Sequence, residues 1–151
     1  IGAYPGGWAQ VASKIITTGK ILSLDTKKMD KLENVAFLQC DFLEENTKEK
    51  IFNFFKDKLD VVISDMAANT TGNKSLDSIR TNQLCAEVIE FSSKILKPNG
   101  VLVCKLFMGD DFLEVKELAK SMFKKVEFFK PESSRNESKE TYLHCVTLRT
   151  L

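Results

Sequence analysis

The chain has 151 residues, 43% apolar and 28% charged. That is the make-up of one soluble globular domain, long enough to hide about 70% of its unfolded surface, and it excludes disorder, a collagen-like repeat and a coiled coil. Lys and Arg number 22 against 21 Asp and Glu, a net charge of +1, so bulk charge argues neither for nor against a nucleic-acid partner.

A glycine-rich loop, Ile1 to Gly7, leads into a helical pattern from Trp8 to Ile16. Strands are expected at Lys20 to Asp25 and Val35 to Gln39, and a helix from Lys48 to Phe55. Leu59 to Asp65 is a continuous apolar run ending in an acid. The spacing of Leu84, Val88, Phe91 and Ile95 predicts a helix over Leu76 to Leu96. Lys97-Pro98-Asn99-Gly100 stops it and turns into a second apolar run, Gly100 to Leu106, which contains Lys105. Phe112, Val115, Leu118, Ala119 and Met122 share one side of a helix from Asp111 to Met122. Lys125 to Lys130 and Thr141 to Leu148 close the chain as strands. The polar loop between them, Pro131 to Lys139, holds no helix, so they are expected to be antiparallel neighbours. Continuous apolar runs suit parallel strands covered on both faces. The pattern predicts an α/β fold: a doubly wound, mostly parallel sheet with a C-terminal antiparallel hairpin.

The runs are too short to cross a bilayer. The four cysteines lack a C-x-x-C spacing and there is a single histidine, so no zinc site is expected. Scattered thiols suit a reducing compartment, and Cys104 and Cys145 read as small buried hydrophobes. The chain opens Ile1-Gly2-Ala3 without a methionine, and is expected to be a single domain, 1–151, lacking its N-terminal segment.

Three of the seven glycines, Gly2, Gly6 and Gly7, fall in the first seven residues. Glycines before a helix allow backbone N–H groups to approach a ligand closely. Asp25 follows Gly6 by nineteen residues, where an acid commonly binds ribose hydroxyls. The dinucleotide fingerprint G-x-G-x-x-G is absent. A-x-P-G-G-W better suits an adenosyl ligand without a pyrophosphate, and Asp41 is placed to reach its adenine edge. Asp65 and Lys105 lie at the carboxyl ends of parallel strands, and Glu140 begins the antiparallel one, so all three are expected at one sheet edge. Taken singly, each has a plainer reading: a loop cap, a lysine extending to solvent, a surface strand residue. Together they answer a physical problem, because a lysine inside Val-Leu-Val-Cys-Lys-Leu-Phe needs a charged partner.

Five ordered motifs carry a resemblance over essentially the whole chain. They are Gly2 to Gln10, Phe37 to Phe42, Ser64-Asp65-Met66-Ala67-Ala68-Asn69-Thr70-Thr71-Gly72, Val103 to Phe107, and Lys130 to Arg135 followed by Ser138 to Tyr142. The chain resembles the FtsJ family of ribosomal RNA 2′-O-ribose methyltransferases. The resemblance implies a Rossmann-like, S-adenosylmethionine-dependent enzyme that methylates a ribose, expected to be a uridine's, in large-subunit ribosomal RNA. It implies cofactor contacts at Gly2, Pro5, Gly6, Gly7, Trp8, Asp25, Asp41 and Asp65, and catalytic roles for Lys105, Asp65 and Glu140. Lys105 would contact the 2′-hydroxyl as base or orienting group, held by Glu140. Lys130, Arg135 and Lys139 are expected to contact RNA phosphates, with Lys124 and Lys125 nearby. No metal, no membrane contact, a monomer and a cytoplasmic location are expected, with an organelle as the alternative. Ala68 and Tyr4 depart from the family pattern, which has a proline and commonly an alanine there. The resemblance also implies a further catalytic lysine on a helix ahead of the first strand, a segment this chain does not contain.

Other classes remain as alternatives: a catalytically silent RNA-binding or ribosome-assembly module, a methyltransferase acting on another RNA, a small molecule or a protein, and a nicotinamide oxidoreductase. A base N-methyltransferase commonly carries D/N-P-P-Y/F where Asp65-Met66-Ala67-Ala68 stands.

Overall fold

The computed structural model describes residues 1–132, 134 and 138–149. They form two compact units, one from Ile1 to Asp57 and one from Lys58 onward.

The first unit contains α1 (Gly7–Ile15), β1 (Leu22–Asp25), β2 (Ala36–Gln39) and α2 (Glu45–Phe55). β1 and β2 pair in parallel, Leu22 opposite Ala36 through Asp25 opposite Gln39. Ala3 joins this edge by donating its N–H to the Leu24 carbonyl at 3.1 Å. α2 ends at Lys56 in the left-handed conformation, φ 60°, with its N–H returned to the Phe52 carbonyl. Leu24, Met29, Phe42 and Ile51 are buried.

The second unit contains β3 (Leu59–Ser64), α3 (Lys74–Ile95), β4 (Leu96–Phe107), α4 (Phe112–Met122), β5 (Phe123–Phe129) and β6 (Glu140–Leu148). The sheet order is β3-β4-β6-β5. β3 and β4 are parallel; β6 runs antiparallel to both β4 and β5 and lies between them. The fold is therefore α/β with a closing antiparallel hairpin, as the apolar runs and the helix-free loop predict. Leu102, Leu106, Phe123 and Leu143 are wholly buried, as are Val88 and Ile89 of α3. Each such side chain contributes about 1.5–3 kcal/mol by leaving water.

Most boundaries fall within three residues of expectation, and the start of β4 departs furthest. β4 starts at Leu96, before the Pro-Asn-Gly turn. Leu96 stands opposite Leu59 and Val101 opposite Val61, so Lys97 to Gly100 bulge out against the single residue Asp60. The turn exists, but inside the strand. Gly100 is required there, since a Cβ would lie 2.9 Å from both the Leu96 Cβ and the Lys97 carbonyl. Lys97 secures the bulge through Asp60 at 2.7 Å.

α3 begins with a side-chain cap: Asn73 Oδ1 accepts from the Ser75 and Leu76 N–H groups. Its first half buries polar residues, among them Asp77, Ser78, Thr81 and Asn82. Among the described residues, no helix is long and apolar enough to cross a membrane.

Candidate active site

The second unit gathers charge at the edge where β3 and β4 end and β6 begins. Strand register sets this arrangement. Glu140 stands opposite Phe107, and Tyr142 opposite Lys105, so antiparallel pairing puts Tyr142 and Lys105 on one face. Glu140 is two residues before Tyr142 and shares that face. Lys105 Nζ lies 2.7 Å from Glu140 Oε1 and 3.0 Å from Asp65 Oδ1. The Tyr142 hydroxyl donates to the same Asp65 oxygen at 2.7 Å.

The cluster is half-buried: 13% of the Lys105 side chain is exposed, 26% of Asp65 and 30% of Glu140. Burial alone lowers the lysine pKa, but the bonds and charges of Glu140 and Asp65 outweigh it and hold Lys105 above its ordinary value. The ammonium form is therefore the resting form. Burial, reinforced by the bond to Asp65, raises the Tyr142 phenol well above its usual value, so this hydroxyl stays protonated and donates.

Residues of α3 fix the backbone around these groups. Asn82, wholly buried, accepts the Phe107 N–H at 2.8 Å and donates to the Phe107 carbonyl at 2.9 Å and to Asp111 Oδ1 at 2.8 Å. That clamps the end of β4, two residues past Lys105. Thr81 Oγ1 accepts the Ala68 N–H at 3.1 Å, pinning the loop after Asp65. Ala68 stands where the family pattern has proline, and a proline could not make this bond. Farther along, Asp77 Oδ1 accepts both the hydroxyl and the N–H of Thr71, at 2.7 and 2.9 Å. Those bonds hold the Asp77 carboxyl below its usual range.

In the first unit, Asp25 ends β1 and Asp41 follows β2 by two residues, so both carboxylates stand at the C-terminal edge of the parallel pair. Asp25 Oδ2 accepts the Tyr4 N–H at 2.9 Å and Oδ1 the Lys27 N–H at 2.8 Å. Asp25 thereby ties the glycine-rich loop to the strand end. A carboxylate offers about four lone-pair positions, so acceptor capacity remains. Asp41 Oδ1 caps the following turn through the Leu43 N–H at 2.9 Å.

Gly2 and Gly6 have φ of +67° and +121°, and the Tyr4–Pro5 peptide is cis. A Cβ on Gly6 would sit 3.1 Å from Met29 Sδ, whereas one on Gly7 would meet nothing within 4 Å. Gly6 thus serves its own backbone and packing, and Gly7 leaves open space. Trp8, in the first turn of α1, is 40% exposed. Paired strand-end acceptors beside an open glycine loop suit an adenosyl group, whose ribose hydroxyls and adenine amine are donors.

Lys130 donates to the Ser138 carbonyl at 2.7 Å, closing the neck of the loop before β6. Lys139 is exposed and its carbonyl accepts the Met108 N–H at 2.8 Å. Lys124 and Lys125 are exposed on β5, with Lys125 3.2 Å from Glu127. Arg135 lies outside the described residues.

Sequence reasoning did not single out Tyr142 or Asn82. Period-two alternation from Glu140 is the signal that points to Tyr142. Asn82 has a weaker one: with Ser78, Cys85 and Ile89 it continues the buried stripe of α3 toward the helix start.

Residues 1–148 match the profile of the family described as FtsJ-like methyltransferase. Over 149 residues the chain is 45% identical to Ribosomal RNA large subunit methyltransferase E of Pelagibacter ubique, covering 99% of this chain and 73% of that protein. It is 48% identical to the protein of the same name from Rickettsia akari, covering 95% of this chain and 66% of that one. The chain thus spans about two thirds to three quarters of these relatives. Among solved structures, it is similar to a candidate ribosomal RNA methyltransferase from Plasmodium falciparum, with a TM-score of 0.86 and 29% identity over 97% of this chain and 83% of that one.

Proposed function

This chain belongs to the FtsJ-like methyltransferase family, and from that premise we propose that it transfers a methyl group from S-adenosylmethionine to a ribose 2′-hydroxyl of large-subunit ribosomal RNA. The observation that carries this reading is Lys105, a half-buried cation between Asp65 and Glu140 at the end of the sheet. The names of the relatives support the substrate class. The reaction belongs where ribosomes are assembled, in the cytoplasm.

In this reading the glycine loop with Pro5 and Trp8, together with Asp25 and Asp41, holds the cofactor in the first unit. Asp25 receives ribose hydroxyls and Asp41 the adenine side. When bound, S-adenosylmethionine supplies a methyl carbon activated by a sulfonium charge. The protein's own task is to align the hydroxyl oxygen and take its proton, and alignment alone supplies several kcal/mol of barrier reduction. Lys105, resting as the ammonium, donates to the 2′-oxygen and turns a lone pair along the attack line. It cannot accept the proton in that state. As the carbon–oxygen bond forms, the hydroxyl becomes far more acidic, and a carboxylate is then basic enough to receive its proton. Among the described residues, Glu140 and Asp65 are the carboxylates paired with Lys105; Asp65 is further steadied by Tyr142. Lys130, Arg135 and Lys139 supply cations for RNA phosphates near the start of β6.

The test is transfer of tritium from methyl-labelled S-adenosylmethionine to isolated large ribosomal subunits, beside small subunits and transfer RNA. Selective labelling of the large subunit supports the assignment. Equal labelling of all three, or none, overturns it.

A further inference from the structure

The row of residues at the site does not stop at Tyr142. Phe129, the last residue of β5, stands opposite Tyr142, which stands opposite Lys105. Phe129, Tyr142 and Lys105 therefore line up across three strands on one face, with Asp65 bonded to the last two. The Phe129 and Tyr142 rings stack, centroids 5.6 Å apart and 22° from coplanar. Yet Phe129 is 44% exposed. Its ring rests on the catalytic row and also meets solvent.

A second feature meets it there. An open groove of about 640 Å³ runs beside β5, lined by Lys116 and Lys120 of α4 and by Glu127, Phe128, Phe129 and His144. Lys116 Nζ lies 6.0 Å from the Phe128 ring centroid. Glu127, the acid in the lining, is met by Lys125 at 3.2 Å and by His144 Nδ1 at 3.7 Å. Lysines of α4 set beside rings of the edge strand β5 match the demands of single-stranded nucleic acid, whose phosphates take cations and whose bases take aromatic faces.

We propose that Phe129 is the stacking platform for a nucleobase beside the methylated ribose, and that the β5 groove carries the RNA strand onward from it. This rests on RNA being the substrate. The platform lies one strand beyond Tyr142, so a base placed on it sits next to the nucleotide presented to Lys105. An aromatic platform also accepts any base, leaving sequence choice to other contacts.

The experiment uses the purified full chain and its Phe129→Leu, Phe129→Ala and Phe129→Trp variants. Binding of a short single-stranded RNA oligonucleotide is read by fluorescence anisotropy, and KM is measured separately for ribosomal subunits and for S-adenosylmethionine. Leucine keeps apolar bulk against Tyr142 but has no π face. Leucine and alanine are expected to weaken RNA binding about tenfold and to raise the RNA KM in step, with the S-adenosylmethionine KM unmoved; tryptophan restores both RNA values. RNA binding by Phe129→Leu as tight as the original overturns the proposal, as does loss of RNA binding in Phe129→Trp. An original protein that binds the oligonucleotide but transfers no methyl group defeats the enzymatic reading alone, because the leucine–tryptophan comparison still decides the platform.

Discussion

Asn82 and Phe107 are joined by two hydrogen bonds across 25 residues of sequence: the amide oxygen takes the Phe107 N–H at 2.8 Å and the amide nitrogen gives to its carbonyl at 2.9 Å. This fixes where β4 ends, and so the height at which Lys105 leaves the sheet. Asn82→Leu keeps the volume but strands a backbone donor and acceptor. It is expected to lower unfolding free energy by about 2–4 kcal/mol, read by urea denaturation, and to cut activity even at temperatures where the variant is folded.

The Ala68–Thr81 bond yields a coupled prediction. Thr81→Val should cost about 1 kcal/mol with Ala68 present. In an Ala68→Pro background the donor is already gone, and the same change should cost little. A double-mutant cycle on unfolding free energy measures the difference, expected near 1 kcal/mol; additive effects would mean the bond does not hold the loop.

Lys105 makes stability depend on pH in a defined direction. Its folded pKa is raised above the ordinary 10.5 by Glu140 and Asp65 against the opposing effect of burial. The stabilisation is then fully present below about pH 10.5 and fades as pH rises through the higher folded value. Urea midpoints taken from pH 8 to 11 should fall more for the original protein than for Lys105→Met. A matching fall in both would place the alkaline loss elsewhere.

Thiol chemistry checks the core. Cys85, Cys104 and Cys145 are buried at about 1% exposure or less, and Cys40 is half-buried. Burial first, and the neighbouring Cys104 after it, pushes the Cys145 thiol up to about 12, and the bond with Cys104, reinforced by burial, raises the Cys85 thiol well above its ordinary value. At neutral pH a disulfide reagent should therefore modify Cys40 promptly and the other three only on unfolding. Prompt modification of two or more would contradict the packing of α3 on the sheet.

Much of this architecture was legible in the chain because one physical signal dominates it. Runs such as Val61-Val62-Ile63 and Val101-Leu102-Val103 are short, rich in β-branched residues and bounded by turn signals, which favours buried strands, and a lysine set among them demanded acids, which the topology supplied in Asp65 and Glu140. The start of β4 was less legible, because Pro-Asn-Gly signals a turn and says nothing of a bulge paired with Asp60. The polar half of α3 was illegible for a different reason. Asp77, Thr81 and Asn82 add nothing to an apolar periodicity, and only tertiary contact shows that each holds a loop or strand end. Tyr142 was hidden by its ordinary role as a strand aromatic; its hydroxyl gains meaning only beside Asp65.

The account rests most directly on what Lys105 does. The full chain and its Lys105→Ala variant should be incubated with methyl-labelled S-adenosylmethionine and large ribosomal subunits, and the RNA digested to nucleosides. The account predicts label on a ribose 2′-oxygen, with the rate falling at least about 100-fold in the variant while cofactor binding by calorimetry persists. Label on a base, or undiminished transfer by Lys105→Ala, would contradict it.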